Sequence, residues 1–229
     1  MSSKKFTVLF FGLFGGIFLL VGLGLLVAGA RLSEATRQAA TLPLLNAAQL
    51  SQAPPGAVAV IEGKIAERNP LHTEGFVVYL RRLYQGQRCE SQGGTATPKC
   101  EAVWTEEERV TPPVWLDLAD GRIRLANADY ALYHPPAVWQ STEELIKDQT
   151  VRYEGFKINS PAFAQGTVVV DGTGSAFKAD FLYGGNRDAY FSDQRSASNV
   201  FFWLGVAFSG VGGGVLVVLV VNLLARRKR

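Results

Sequence analysis

The chain has 229 residues, 48% of them hydrophobic, with 23 Lys and Arg against 20 Asp and Glu, two histidines and two cysteines. Six basic residues (Lys4, Lys5, Arg226, Arg227, Lys228 and Arg229) and no acidic ones lie outside two long apolar segments near the chain ends. The basic excess belongs to two short tails and the intervening stretch is mildly acidic, which excludes a nucleic-acid surface as the meaning of the charge.

The apolar segments are residues 6–30 and 199–225, and neither contains a charged side chain. At 1.5 Å rise per residue each helix would be about 37 Å long, enough to cross a hydrocarbon core with some tilt. Both basic flanks, residues 1–5 and 226–229, are expected to be cytoplasmic tails, which puts the central domain on the extracytoplasmic side of a plasma or inner membrane. The competing reading of the first segment is a signal peptide cleaved after Ala28-Gly29-Ala30. Its apolar run is far longer than the 7–15 residues of a signal core, so an uncleaved anchor is expected.

Small residues recur along both segments. Gly12 and Gly16 form a small-xxx-small pair, and Gly205, Ser209 and Gly213 follow at steps of four. Such faces let helix backbones approach closely in lipid, so they are expected to pack the two helices together or to pair copies of the chain.

Residues 31–56 read as a linker, with a short helical turn near Asn46 to Leu50 and a stop at Pro54-Pro55-Gly56. From residue 57 the pattern changes to short runs of β-branched and aromatic residues. Strands are expected at 57–66, 75–84, 101–111, 114–118, 122–125, 151–158, 166–170 and 175–181, with Asp120-Gly121 and Asp171-Gly172 as hairpin turns. One helix is expected over 141–148, where Ser141 and Glu144 have the spacing of a capping box. The expected fold is therefore a membrane-anchored α+β protein: two transmembrane helices flank a mainly antiparallel β domain over 57–198. A small barrel or sandwich, with an OB-like form among the alternatives, and one short helix would complete it. Phe181, Tyr183, Tyr190, Phe191 and Trp203 cluster before and at the start of the second span, where they would rest at the bilayer surface or cover an open end of the β domain.

Cys89 and Cys100 are the only cysteines and flank a stretch containing Gly93, Gly94 and Pro98. In an oxidising compartment they are expected to form a disulfide. Their spacing is not that of a zinc site, and His72 and His134 alone could not complete one, so no metal and no cofactor is expected.

The search for catalytic motifs returns nothing: GxxxxGK[ST], GxSxG, HExxH and a strand-following GxGxxG are all missing, and no catalytic residue is assigned. Asp117 and Asp120 are a fragment of a calcium loop without its other ligands, and Glu106-Glu107-Glu108 reads as a solvated strand end. Two alternatives remain open. One is a membrane-tethered hydrolase using His72 or His134 with a serine. The other is an oligosaccharide or elongated ligand bound along an exposed stripe of Trp104, Trp115, Tyr130, Tyr133 and Trp139, although burial of most of these is expected.

The order of the β segment carries a resemblance. Gly63 and Tyr79, then Thr111-Pro112-Pro113-Val114-Trp115-Leu116-Asp117 leading to Asp120-Gly121, then Val151-Arg152-Tyr153-Glu154-Gly155, then the aromatic run into a second span, resemble GIDE-type proteins. That family includes membrane-anchored mitochondrial and chloroplast ubiquitin ligases and their prokaryotic relatives, which share a "beside a membrane" domain between two spans. The family's ligases carry a zinc-binding RING after the second span, whereas here Arg226-Arg227-Lys228-Arg229 follow. The resemblance thus implies the topology and a recognition role but no ubiquitin transfer. The expected function is a non-catalytic scaffold, sensor or recruitment module, with membrane lipid, other membrane proteins or a second copy as partners.

Overall fold

A computed structural model describes residues 3–90, 99–141, 150–172 and 174–227. They form two compact units, one made of residues 42–190 and the other of the two terminal helices.

In the helical unit, α1 runs from Ser3–Thr41 and α3 from Arg187–Arg227, with the first four residues of α3 belonging to the β unit. Both helices are long and apolar enough to cross a membrane. The sequence places the first span at 6–30, with a brief helical extension before Pro43, and the second from 199. The polar stretches beyond those points are helical too, because no proline or glycine interrupts residues 31–41 or 187–199.

The β unit begins with α2 (Ala47–Gln52), which Asn46 caps. The Asn46 carbonyl oxygen accepts from the Gln49 N–H at 2.8 Å, and the Asn46 N–H donates back to the Gln49 side chain at 3.0 Å. Among the described residues ten strands follow: β1 (Val58–Ile65), β2 (Phe76–Glu90), β3 (Lys99–Val110), β4 (Val114–Asp117), β5 (Arg122–Leu125), β6 (Ala131–Tyr133), β7 (Ala137–Gln140), β8 (Val151–Lys157), β9 (Pro161–Asp171) and β10 (Gly174–Tyr183). The strands β6 and β7 have no counterpart in the sequence reading. They are three and four residues long, and unlike the equally short β4 and β5 they have no Asp-Gly turn between them to mark a hairpin. The helix expected over 141–148 lies outside the described residues.

The strands form two sheets. The larger has the order β5-β4-β1-β9-β10-β6, and a parallel pairing of β10 with β5 at Phe177 and Leu125 joins its ends, so that β1, β4, β5, β10 and β9 pair in a ring. Inside lie Ile61, Leu116, Leu125, Val168 and Phe177, all fully buried, with Leu50 of α2 and Phe156 in the same core. The smaller sheet, β3-β2-β8-β7, is antiparallel throughout and is dominated by the long β2–β3 hairpin.

Strand β1 does not alternate: Ala59, Val60 and Ile61 are all buried. The chain just before α2 pairs along the edge of β1, with a parallel bridge between Leu44 and Val60. Leu45 N–H donates to Val60 O and Val60 N–H to Pro43 O, both at 3.0 Å. Val60 then packs in a second cluster with Phe163, Phe181 and Tyr183, and Leu42 and Tyr190 lie against it. Of the aromatic residues expected at the bilayer or over an open end of the β domain, Phe181, Tyr183 and Tyr190 pack in this second core, with Tyr190 stacked on Phe181 at 5.1 Å between ring centres, whereas Trp203 is exposed on α3.

Candidate functional site

Two features distinguish this chain from a plain β domain, and the first is the seam of the helix pair. On α1 the contacts fall at Gly15, Gly22 and Gly29; on α3 they fall at Ser198, Gly205 and Gly212. Both sets step by seven residues, and Gly15 meets Gly212, Gly22 meets Gly205, and Gly29 meets Ser198, as two antiparallel helices require. A Cβ on Gly22 would lie 2.5 Å from the Ser209 nitrogen and 2.9 Å from the Gly205 oxygen, so only glycine allows this approach. The Ser198 hydroxyl donates to Gly29 O at 3.1 Å, and Phe18 stacks on Phe208 at 5.2 Å.

Of the packing residues picked out by four-residue spacing, Gly205 and Ser209 lie in this seam. Gly12, Gly16 and Gly213 face open space within the chain. Gly15 stands in the sequence beside the Gly12 and Gly16 pair, but Gly22 and Gly29 escaped a four-residue count, although the seven-residue recurrence of all three was there to be counted. The outside of the pair is a sheath of exposed apolar side chains, among them Phe10, Leu13, Leu20, Trp203, Val217 and Val218.

The second feature is the four-stranded sheet. Its hairpin tip is closed by the disulfide between Cys89 and Cys100, which sit directly opposite each other in the β2–β3 register. One face carries Trp104, which meets Tyr84 edge-on at 5.6 Å and lies under the Arg152 guanidinium at 5.5 Å. On the same face Glu154 sits between Arg152 and Arg82, at 3.0 and 3.3 Å. The opposite face carries Tyr79, Tyr153 and Trp139, with ring centres 5.4–5.6 Å apart. Burial and the nearby Glu108 carboxylate push the Tyr79 phenol above its ordinary pKa.

The five aromatic residues weighed as a binding stripe do not share one surface. Tyr130 is buried, and its hydroxyl donates to Pro112 O at 2.7 Å. Trp115 lies half-buried in β4 under the Arg68 guanidinium, 4.3 Å from its ring centre. Tyr133 is exposed on β6. Trp104 and Trp139 sit on opposite faces of the smaller sheet, because their partners Arg152 and Tyr153 are consecutive strand residues.

The histidines are exposed and lie on separate segments. His72 precedes β2, 6.2 Å ring to ring from Tyr79, and His134 follows β6 in a left-handed conformation, 5.4 Å from Tyr183. The acidic groups suspected of calcium binding have other work. Asp117 pairs with Arg122, while both Asp120 carboxylate oxygens accept from the first turn of α2, from Ala47 N–H at 2.8 Å and Ala48 N–H at 3.1 Å. These two bonds hold the Asp120 carboxyl below its ordinary pKa. In the glutamate run, Glu106 pairs with Arg109, Glu107 with Arg81, and Glu108 accepts from Tyr79. Among the described residues no three His, Cys, Asp or Glu side chains converge as a metal site. No family model, no curated protein and no solved structure matches this chain.

Proposed function

We propose that this chain is a two-span membrane protein whose β unit lies on the extracytoplasmic side and serves as a non-catalytic scaffold or recruitment module of the GIDE type. The observation that carries the membrane half of this reading is the sheath around the helix pair. Leu20, Trp203, Val217 and Val218 are each more than 60% exposed, and no part of the helical unit covers them. In water that surface would drive aggregation, whereas lipid tails cover it at no cost. The disulfide and the basic tails support the orientation, since disulfides persist in oxidising compartments and Lys and Arg stay on the cytoplasmic side.

The recruitment half rests on the smaller sheet. Its aromatic and arginine side chains are the kinds of group that anchor protein contacts, and the long charged edge of β3 discourages indiscriminate strand pairing. A second reading, ligand binding by an OB-type barrel, is favoured by the ring β1-β4-β5-β10-β9 with its single parallel pair, the connectivity of that barrel class.

Paired reporters test the orientation. Alkaline phosphatase fused after Tyr183 is expected to be active and a fusion after Arg229 inactive, with the reverse holding for a fluorescent protein that matures only in the cytosol. The opposite pattern would overturn the proposal. Crosslinking of the intact protein in membranes, compared with a Trp104→Ala/Arg152→Ala variant, tests recruitment: adducts lost in the variant support this face as the contact, and unchanged adducts reject it.

A further inference from the structure

At the ends of the apolar segments, the helix pair borders an open polar cavity of about 320 Å³. Ser33, Thr36 and Arg37 of α1 line one side, and Arg195, Ser198 and Asn199 of α3 line the other. Two arginines therefore border a shared space with serine, threonine and asparagine residues and no acidic lining residue. Among the described residues Arg195 makes no hydrogen bond or ion pair. Arg37 holds its i−3 neighbour Glu34 only loosely, at 3.9 Å, with both side chains exposed. The cavity has cationic donors in excess of anionic acceptors.

The position of the cavity along the helices says what can fill it. Arg37 lies seven residues beyond Ala30, and Arg195 four residues before Asn199, which places their backbones about 10 and 6 Å from the apolar segments. That is the depth of lipid headgroups, within reach of a snorkelling arginine. Helix side chains tilt toward the N-terminus, so Arg37 leans back toward the lipid and Arg195, on the antiparallel helix, leans out toward the same level.

We infer that this cavity binds the phosphodiester of an anionic phospholipid, with Arg37 and Arg195 as the charged contacts and the Ser33 hydroxyl and Asn199 amide as further donors, since the Thr36 hydroxyl donates to Leu32 O. A net-negative lipid is favoured over a zwitterionic one, because both guanidiniums need compensation and a choline group would bring a cation back to the site. The inference rests on the proposal that the helices cross a membrane.

The test uses the full chain in mild detergent, with bound lipid counted by native mass spectrometry after exposure to phosphatidylglycerol or phosphatidylcholine. Arg37→Gln/Arg195→Gln is expected to retain about tenfold less phosphatidylglycerol, with phosphatidylcholine unchanged. Arg31→Gln/Arg88→Gln removes the same charge outside the cavity and is expected to stay within about twofold of the parent. Equal loss in both variants, or no loss in the first, overturns the site. Excess inorganic phosphate separates the two sources of the anion: retention of the lipid supports a headgroup site, and its displacement overturns it. Carbonate washing of membranes separates the two claims. A protein released by carbonate sinks the two-span reading and the lipid site together, whereas a protein that stays embedded without a phosphatidylglycerol preference sinks the lipid site alone.

Discussion

Asn69 is buried in the turn after β1 and uses both ends of its amide. Its Nδ2 donates to Ala66 O at 2.9 Å and to Trp115 O at 2.8 Å, and its Oδ1 accepts from Trp115 N–H at 2.8 Å. The side chain thus imitates a strand neighbour for the β4 backbone. Asn69→Leu keeps the volume but strands the Trp115 N–H, while Trp115 O and Ala66 O keep the Ala66 and Asn69 N–H donors, and is expected to destabilise the β unit by about 1–3 kcal/mol in chemical denaturation. Asn127 does the same for Ala179, where β10 shifts register, at 2.7 and 2.8 Å. Asp120 gives a pH-dependent version of such a tether. Its carboxyl pKa is depressed in the folded state, so its contribution is complete above the ordinary carboxylate pKa of about 3.9 and is lost as pH falls through the lower folded value. The amide resonances of Ala47 and Ala48 should therefore shift with a midpoint below about 3.9, and Asp120→Ala should abolish that transition.

At the scale of elements, the seam between α1 and α3 discriminates between glycines that look alike in the sequence. Gly22→Val forces a side chain into the Ser209 and Gly205 backbone and is expected to cost roughly 1–3 kcal/mol, seen as a lower melting temperature in detergent. Gly16→Val meets open space within the chain and is expected to change stability by less than about 0.5 kcal/mol. Equal effects would mean that the helices pair through a different face. The β2–β3 hairpin is the other element with a clear division of labour. Tyr79 and Leu80 near its base are buried, while its tip is held by the covalent Cys89–Cys100 link, where little apolar surface is left to bury.

At the scale of the molecule, residues 42–190 hold their own cores and include the first turn of α3. The Arg187 N–H donates to the Glu62 carboxylate at 2.9 Å, and the Arg187 guanidinium donates to Leu42 O at 3.4 Å. Residues 42–190 expressed alone in an oxidising compartment should therefore be soluble and unfold in a single cooperative step, read by near-UV circular dichroism. Precipitation, or a broad transition, would show that the β unit needs its helices.

The sequence alone settled what depends on composition and local pattern: two uncharged apolar helices, a β-rich middle, the Asp-Gly turn and the short helix after Asn46. Each follows from side-chain hydrophobicity or backbone preference within a window of a few residues. The two cysteines were recognisable as a pair, but the hairpin register set them face to face. What only the tertiary structure decided involves partners far apart in the chain. The parallel closure of β10 on β5, the pairing of residues 43–45 along the edge of β1, and the capping of α2 by Asp120 each join segments separated by a dozen to more than seventy residues. The same holds for the glycine seam, where the four-residue spacing was visible but the antiparallel register singled out Gly15, Gly22 and Gly29. A residue's type limits what it can touch, and the path of the chain determines what comes near it.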